Sequence, residues 1–224
     1  MSKSIAIDGP AGAGKSTIAK KVSANLGFIY LDTGAMYRAV ALKAISSGMD
    51  TKSQADLAKL IKDIDISISH ENNIQKIFLD GIDVSESIRT PEVSSGASAV
   101  AVFREVRLKM VDLQRKIASD RDVVMDGRDI GSYVLPNADL KIFLTAAADE
   151  RARRRFEELM QKGQKVSFDE VKSDMAARDS NDSSRSFAPL VRTSDAIEVD
   201  STSMTIDEVV DRIMYFYNNY CCSN

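Results

Sequence analysis

The sequence predicts an α/β fold, with a mainly parallel five-stranded sheet flanked by helices and a small antiparallel insertion. Three observations predict it. The apolar stretch Ser4-Ile5-Ala6-Ile7 runs into a glycine-rich turn and then into a helical pattern with Ile18, Val22 and Leu26 on one face. Short apolar strands recur between helical stretches, the arrangement of parallel strands joined by crossover helices. Between about residues 64 and 88 the apolar period changes to two, which marks an antiparallel insertion in that alternation. At 224 residues the chain suits one such domain and a substantial core, so residues 1–224 are expected to form a single unit.

The elements follow in order. After the first strand, the helix predicted over Lys15 to Leu26 leads to a second strand, Phe28-Ile29-Tyr30-Leu31, which ends in Asp32-Thr33-Gly34. Ala35 to Ser47 and residues 53–63 pattern as helices, the latter with Leu57, Leu60 and Ile61 as its stripe. Ile64, Ile66 and Ile68 alternate with polar residues. His70-Glu71-Asn72-Asn73 reads as a polar turn with a solvated histidine, and Gln75 to Leu79 as the partner strand. Asp80-Gly81 is a hairpin signal into Ile82-Asp83-Val84. Pro91 suits a first helical position, opening one long helical stretch to about Ser119.

Asp122 to Asp126 and Leu140 to Leu144 are the next strands. Asp149 to Lys162 reads as a basic helix whose Arg151, Arg153, Arg154 and Arg155 partly form a solvated face. Residues 167–179 continue helical, and Asp179-Ser180-Asn181-Asp182-Ser183-Ser184 reads as helix-poor. Ala196 to Val199 is the fifth strand of the sheet. A closing helix from Thr205 to about Tyr220 turns Ile206, Val209, Val210 and Ile213 inward.

Composition removes several function classes. Net charge −3 leaves no basic excess to neutralise a nucleic-acid backbone. No apolar run approaches the roughly 20 residues of a membrane span. The first strand opens at Ser4, so no signal peptide is expected, and the expected location is cytoplasmic. Cys221 and Cys222 are adjacent, which supplies neither a disulfide framework nor a metal cluster. With one histidine, His70, no Ser-His-Asp or histidine–metal chemistry is available. No exposed apolar seam points to an oligomer, and a monomer is expected.

The turn after the first strand is Gly9-Pro10-Ala11-Gly12-Ala13-Gly14-Lys15-Ser16, a complete phosphate-binding loop of the Walker A form. Its glycines let the backbone curl so that successive N–H groups form an anion nest at a helix N-terminus. Lys15 is expected to reach the β- and γ-phosphates of a nucleoside triphosphate such as ATP, and Ser16 to bind Mg²⁺. Gly9 to Ser16, together with Thr17, is the expected donor-binding stretch. A guanine-reading Asn-Lys-x-Asp and an Asp-x-x-Gly switch turn are both missing from the sequence, which excludes a GTPase switch.

A small-molecule kinase also needs cations for a second, anionic substrate. Arg38 and Arg128 follow strand ends, where open parallel sheets bind ligands, and a guanidinium binds phosphate bidentately. Arg178, Asp182 and Arg185 are spaced to share one helical face, either as a phosphate-ordered lid over about residues 153–186 or as a surface ion-pair ladder. Asp126, ending an apolar strand, is either a carboxylate behind Mg²⁺ or a turn residue.

Together, Ile7 to Ser16, Leu31-Asp32-Thr33-Gly34-Ala35-Met36-Tyr37-Arg38, Asp126-Gly127-Arg128-Asp129-Ile130-Gly131 and the Arg178-Asp179-x-x-Asp182-x-x-Arg185 run closely resemble the bacterial cytidylate kinases, from end to end. The resemblance implies a P-loop kinase core that moves the γ-phosphoryl of ATP to CMP or dCMP. It implies that Thr33, Arg128 and Asp129 meet cytosine or sugar, Ser98 the base, and Tyr37, Arg38 and Arg107 the monophosphate. It further implies that Asp182 and Arg185 reach sugar and phosphates on closure, with Arg178 and Arg154 towards the phosphates or the ATP side. Lys15, Arg128, Asp129, Arg178 and Arg185 are the expected catalytic set. Asn181 and Ser183 stand where some members carry further arginines. A different small-metabolite kinase, and an ATP-binding regulator without transfer, are the competing readings.

Overall fold

The computed structural model describes residues 2–71 and 74–221. Asn72 and Asn73 of the expected turn, and Cys222 of the cysteine pair, lie outside the described residues. In chain order the elements are β1 (Ser4–Asp8), α1 (Lys15–Leu26), β2 (Ile29–Asp32), α2 (Thr33–Ser46), α3 (Gln54–Asp63), β3 (Ile66–Glu71), β4 (Ile74–Leu79) and β5 (Ile82–Asp83). They continue with α4 (Pro91–Val100), α5 (Arg104–Asp120), β6 (Val123–Gly127), β7 (Leu140–Thr145), α6 (Ala148–Gln161), α7 (Phe168–Ser184), β8 (Ile197–Asp200) and α8 (Ile206–Cys221). The larger sheet has five strands in the order β2-β6-β1-β7-β8, and β3-β4-β5 form a separate antiparallel sheet. β7 is parallel to both β1 and β8. The α/β class, the five strands and the antiparallel insertion are as the periodicity predicts. No helix among the described residues is long and apolar enough to cross a membrane.

Two compact units divide the chain: residues 1–2 with 28–123, and residues 3–27 with 124–224. In the first, the core is built on α2, whose Met36, Ala39, Val40 and Ala44 are fully buried. α4 packs closely on it, because a Cβ at Gly96 would stand only 3.1 Å from that of Ala41. The insertion hairpin turns through Asp80 (φ 50°) and Gly81 (φ 81°), the left-handed pair that Asp-Gly favours.

The predicted single helix from Thr90 to Ser119 is two helices. Phe103 takes an extended backbone (φ −83°, ψ 126°) and packs against the α2 core, which breaks the helix after Val100. The freed Ala101 carbonyl accepts a hydrogen bond from Arg107 Nη1 at 3.2 Å. His70 is also corrected: it lies in β3, half-buried, with Nε2 2.8 Å from the Tyr30 carbonyl.

In the second unit β1 and β7 are buried in parallel register, Ile5 opposite Leu140 and Ile7 opposite Ile142. α8 buries Val209, Val210, Ile213 and Tyr217, whereas Ile206, expected inward, is 47% exposed. α7 starts with a complete capping box between Ser167 and Glu170. The run from Asp179 to Ser184, expected to be helix-poor, is helical to Ser184. The weak propensity of Ser and Asn is overridden by ion pairs from Asp179 to Arg151 and from Asp182 to Arg128.

Candidate active site

The loop between β1 and α1 is shaped by one close approach and one left-handed cap. Gly9 (φ 151°) passes so near β7 that a Cβ would meet the Leu144 carbonyl oxygen at 2.0 Å. Gly14 (φ 88°) caps α1, and its carbonyl accepts the Ile18 N–H at 3.1 Å. Ser16 and Thr17 lie exposed in the first turn of α1, as a ligand-facing helix start requires. Lys15 is buried, and its Nζ donates to the Pro10 carbonyl at 2.6 Å. Burial, then the nearby Arg128 guanidinium, pushes its ammonium down to about 7, against the opposing pull of Asp126, Asp182 and Asp8. Incoming phosphate charge acts in the opposite direction and favours the ammonium.

Ser16 Oγ donates to Asp126 Oδ2 at 2.8 Å. Asp126 ends the apolar run of β6 and is itself buried, so a carboxylate stands directly behind the hydroxyl expected to bind Mg²⁺. This donor set fits a hard divalent cation, which prefers oxygen ligands and keeps several waters. No cluster of three or more acidic, histidine or cysteine ligands occurs among the described residues.

The segment after β6 carries Arg128 and Asp129 into a π-helical turn, Ile130–Val134. Asp8, the last residue of β1, holds the start of that turn. Its Oδ1 accepts the Ile130 N–H at 2.8 Å and its Oδ2 the Gly131 N–H at 2.7 Å. Burial raises the Asp8 carboxyl to about 6 even though both N–H groups favour the anion. Arg128 Nε pairs with Asp182 Oδ2 at 2.7 Å, and Arg128 Nη1 donates to the Gly127 carbonyl. The Asp182 carboxylate thus aligns Arg128, and the adjacent Asp129 is buried.

Asp182 also faces Arg185 Nη1 at 3.5 Å. Burial pushes the Asp182 carboxyl up, but Arg128, Arg185 and Arg178 together outweigh it and hold it below the usual range. Arg185 follows α7 with its backbone already extended, and its Nη2 donates to the Ala188 carbonyl at 2.9 Å. Arg178 and Asp182 lie four residues apart on α7, whereas Arg185 follows the helix end and does not share its face. Both arginines nevertheless act on Asp182, and the loop, Arg128 and Asp182 share one electrostatic neighbourhood around Lys15.

Arg154 is held between α6 and the segment after β8. Its guanidinium engages Glu150 Oε1 (2.8 Å), the Ser201 carbonyl (2.7 Å) and Ser201 Oγ (3.1 Å). Arg153 and Arg155 form helix-surface pairs with Glu150, Glu157 and Glu158, as the solvated-face reading expects. Arg151 does not: it is 9% exposed and bonds the Ala11 carbonyl and Asp179.

Of the acceptor-side candidates, Thr33, Tyr37, Arg38, Ser98 and Arg107 lie in the other unit. Asp32 caps α2 by accepting the Ala35 N–H at 3.0 Å, and its Oδ2 pairs with Arg38 Nη2 at 2.7 Å. Thr33 is buried at the start of α2. The Arg107 guanidinium lies 5.4 Å from the centroid of the Tyr37 ring, and only 1% of the residue is exposed. Ser98 is half-buried on α4. Gln75 grips the backbone of Asp32, accepting its N–H at 2.7 Å and donating to its carbonyl at 3.3 Å.

Sequence reasoning missed Asp8, Arg151, Asp179 and Gln75. The signals were faint. Asp8 directly precedes Gly9 at the end of a buried strand, Asp179 adjoins Arg178, and Arg151 is hidden among three other arginines. Gln75 carries no local mark at all.

A sequence-family profile described as Cytidylate kinase matches residues 5–219. The chain belongs to this family. A cytidylate kinase from Desulfitobacterium hafniense (strain Y51) is 52% identical over 215 residues, covering 96% of this chain and 92% of the relative. One from Caldicellulosiruptor bescii is 51% identical over 213 residues, covering 95% and 94%. A crystal structure of an uncharacterized protein from Eubacterium ventriosum superposes with a TM-score of 0.52 at 14% identity, covering 98% of this chain and 99% of that one. At that identity it speaks to the fold alone.

Proposed function

We propose that the protein transfers the γ-phosphoryl group of ATP to CMP or dCMP, giving CDP or dCDP and ADP. The observation that carries this reading is the charge arrangement around Lys15. A buried lysine at a complete phosphate loop shares its surroundings with Arg128 and Asp182, and Asp182 is pinned by Arg128 and Arg185. Guanidinium groups held beside the loop can pair with bound phosphate and can also offset charge on a phosphoryl group in transfer.

Phosphoryl transfer passes through a loose transition state, so positioning and charge stabilisation dominate over covalent chemistry. No residue need act as a nucleophile. Lys15 as ammonium, with Arg128, Arg178 and Arg185, offsets negative charge developing on the transferred group and the β–γ bridge. Ser16, backed by Asp126, would hold Mg²⁺, which supplies further neutralisation of the phosphate charge. Arg38, set by Asp32, and Arg107, set by the Ala101 carbonyl and the Tyr37 ring, are the acceptor-phosphate residues. Asp129 and Ser98 are the base-side residues, and Thr33 contacts base or sugar. A fixed acceptor such as Asp129 favours the exocyclic amino group of cytosine over the carbonyl of uracil, which would leave a buried group unpaired. Residues of α7 and the segment to Arg185 form part of the lid.

The test is an ADP-release assay with Mg·ATP and CMP, dCMP, UMP or AMP as acceptor. CMP and dCMP are expected to exceed AMP in kcat/KM by several orders of magnitude. Equal turnover of AMP would overturn the cytidylate reading, and no acceptor-dependent ADP release would revive a binding-only role.

A further inference from the structure

Ala11, inside the phosphate loop, is held at both of its backbone polar atoms by side chains from two helices. Its N–H donates to Asp179 Oδ1 on α7 at 3.0 Å. Its carbonyl accepts from Arg151 Nη1 on α6 at 2.9 Å. The two side chains pair with each other at 2.6 Å, and Arg151 Nε is tied to the Ala146 carbonyl at 3.0 Å. The peptide plane between Pro10 and Ala11 is strung between two charges, since the carbonyl on its other side receives Lys15 Nζ.

Apolar packing closes the back of the same segment. Ala11 is buried with Ala152 of α6 and with Val171 and Met175 of α7. At Gly12 (φ 73°) a Cβ would stand 2.6 Å from Met175 Cε and 3.0 Å from the Arg151 carbonyl oxygen. The loop has no room to shift towards the helices, and its polar atoms are spoken for on that side.

We propose that Arg151 and Asp179 are positioning residues for the donor nucleotide, fixing the Pro10–Ala11–Gly12 peptides and, through the Pro10 carbonyl, the resting place of the Lys15 ammonium. The inference rests on the reading that Gly9 to Ser16 takes the donor triphosphate. A nest of N–H groups binds an anion well only if its vectors are fixed beforehand, because a mobile glycine-rich loop must be ordered at the expense of affinity.

A buried ion pair with a purely structural role behaves differently when both partners are replaced by apolar residues of similar volume. Such replacements are often neutral or stabilising, whereas removing one partner leaves a buried charge. The experiment uses Asp179→Asn and the double variant Arg151→Met with Asp179→Leu. It measures calorimetric binding of ADP, steady-state KM for ATP and CMP, and the thermal midpoint without ligand. Both variants are expected to bind ADP about tenfold more weakly, with KM for ATP rising and KM for CMP unchanged. The double variant is expected to keep its ligand-free midpoint. ADP binding within twofold of the parent protein overturns the proposal, as does a KM for CMP that rises in step with that for ATP. If the double variant does not fold, Asp179→Asn alone decides by the same readouts. A parent protein that binds no ADP removes the donor reading of the loop itself, an outcome separate from either.

Discussion

Asp8 shows how one buried carboxyl is used and what it costs. It ends β1, accepts two N–H groups of the turn that carries Asp129, and is raised from 3.8 to about 6 by burial. Because the folded value is the higher one, the native state binds a proton more readily than the unfolded chain between those two values. The stability Asp8 contributes is therefore fully present below about pH 4 and is lost as pH rises through about 6. The gap corresponds to a stability change on the order of 3 kcal/mol. Urea unfolding of the parent and of Asp8→Asn from pH 3.5 to 7.5 checks this. The parent is expected to lose that much relative to the variant across the window, since other titrating groups cancel in the difference. A difference that stays flat with pH would show that Asp8 does not titrate there.

At the scale of elements, the insertion hairpin acts on β2 through side chains rather than through strand pairing. His70 and Gln75 face each other in the β3–β4 register. One reaches the Tyr30 carbonyl, and the other takes both backbone polar atoms of Asp32. Asp32 in turn caps α2 and aligns Arg38. Gln75→Ala removes two partly buried bonds and is expected to cost about 1–3 kcal/mol. Gln75→Glu keeps the acceptor for the Asp32 N–H and should recover part of that loss. Chemical unfolding of the two variants tests this, and a loss below about 0.3 kcal/mol for the alanine would remove the bracing role.

The same elements explain what the sequence made legible. α1, β1 and the Asp80-Gly81 hairpin are governed by local rules, namely periodicity, glycine caps and turn chemistry, and they fall where those rules place them. The break after Val100 and the helical run from Asp179 to Ser184 are decided by tertiary contacts, of Phe103 with the α2 core and of Asp179 and Asp182 with arginines far away in sequence. The phosphate loop was readable because its spacing is local, whereas Arg178, Asp182 and Arg185 come together only because tertiary ion pairs keep the run helical to Ser184. Gln75 was not readable, because its partners are backbone atoms that any residue type supplies, and Arg151 was not, because it pairs with two backbone carbonyls and with an aspartate 28 residues away.

Across the whole chain, the residues of the proposed chemistry are distributed over both compact units. Gly9 to Ser16, Arg128, Asp129 and the α7 residues belong to one, while Thr33, Tyr37, Arg38, Ser98 and Arg107 belong to the other. A ligand stabilises the state it binds by RT ln(1 + [L]/Kd), about 2.7 kcal/mol at a hundredfold excess over Kd, and amides that exchange through opening of its site are protected accordingly. ADP at that excess is expected to slow exchange at residues 10–18 about a hundredfold and to leave residues 33–38 and 98–107 at their ligand-free rates. CMP alone should do the reverse at 33–38 and 98–107, with added protection near Arg128 and Arg185. Hydrogen exchange read by mass spectrometry on the full chain separates the two patterns. If CMP protects only residues 10–18, the acceptor assignments of Arg38 and Arg107 are wrong. If ADP protects residues 33–38 as strongly as 10–18, the donor assignment of residues 10–18 is wrong.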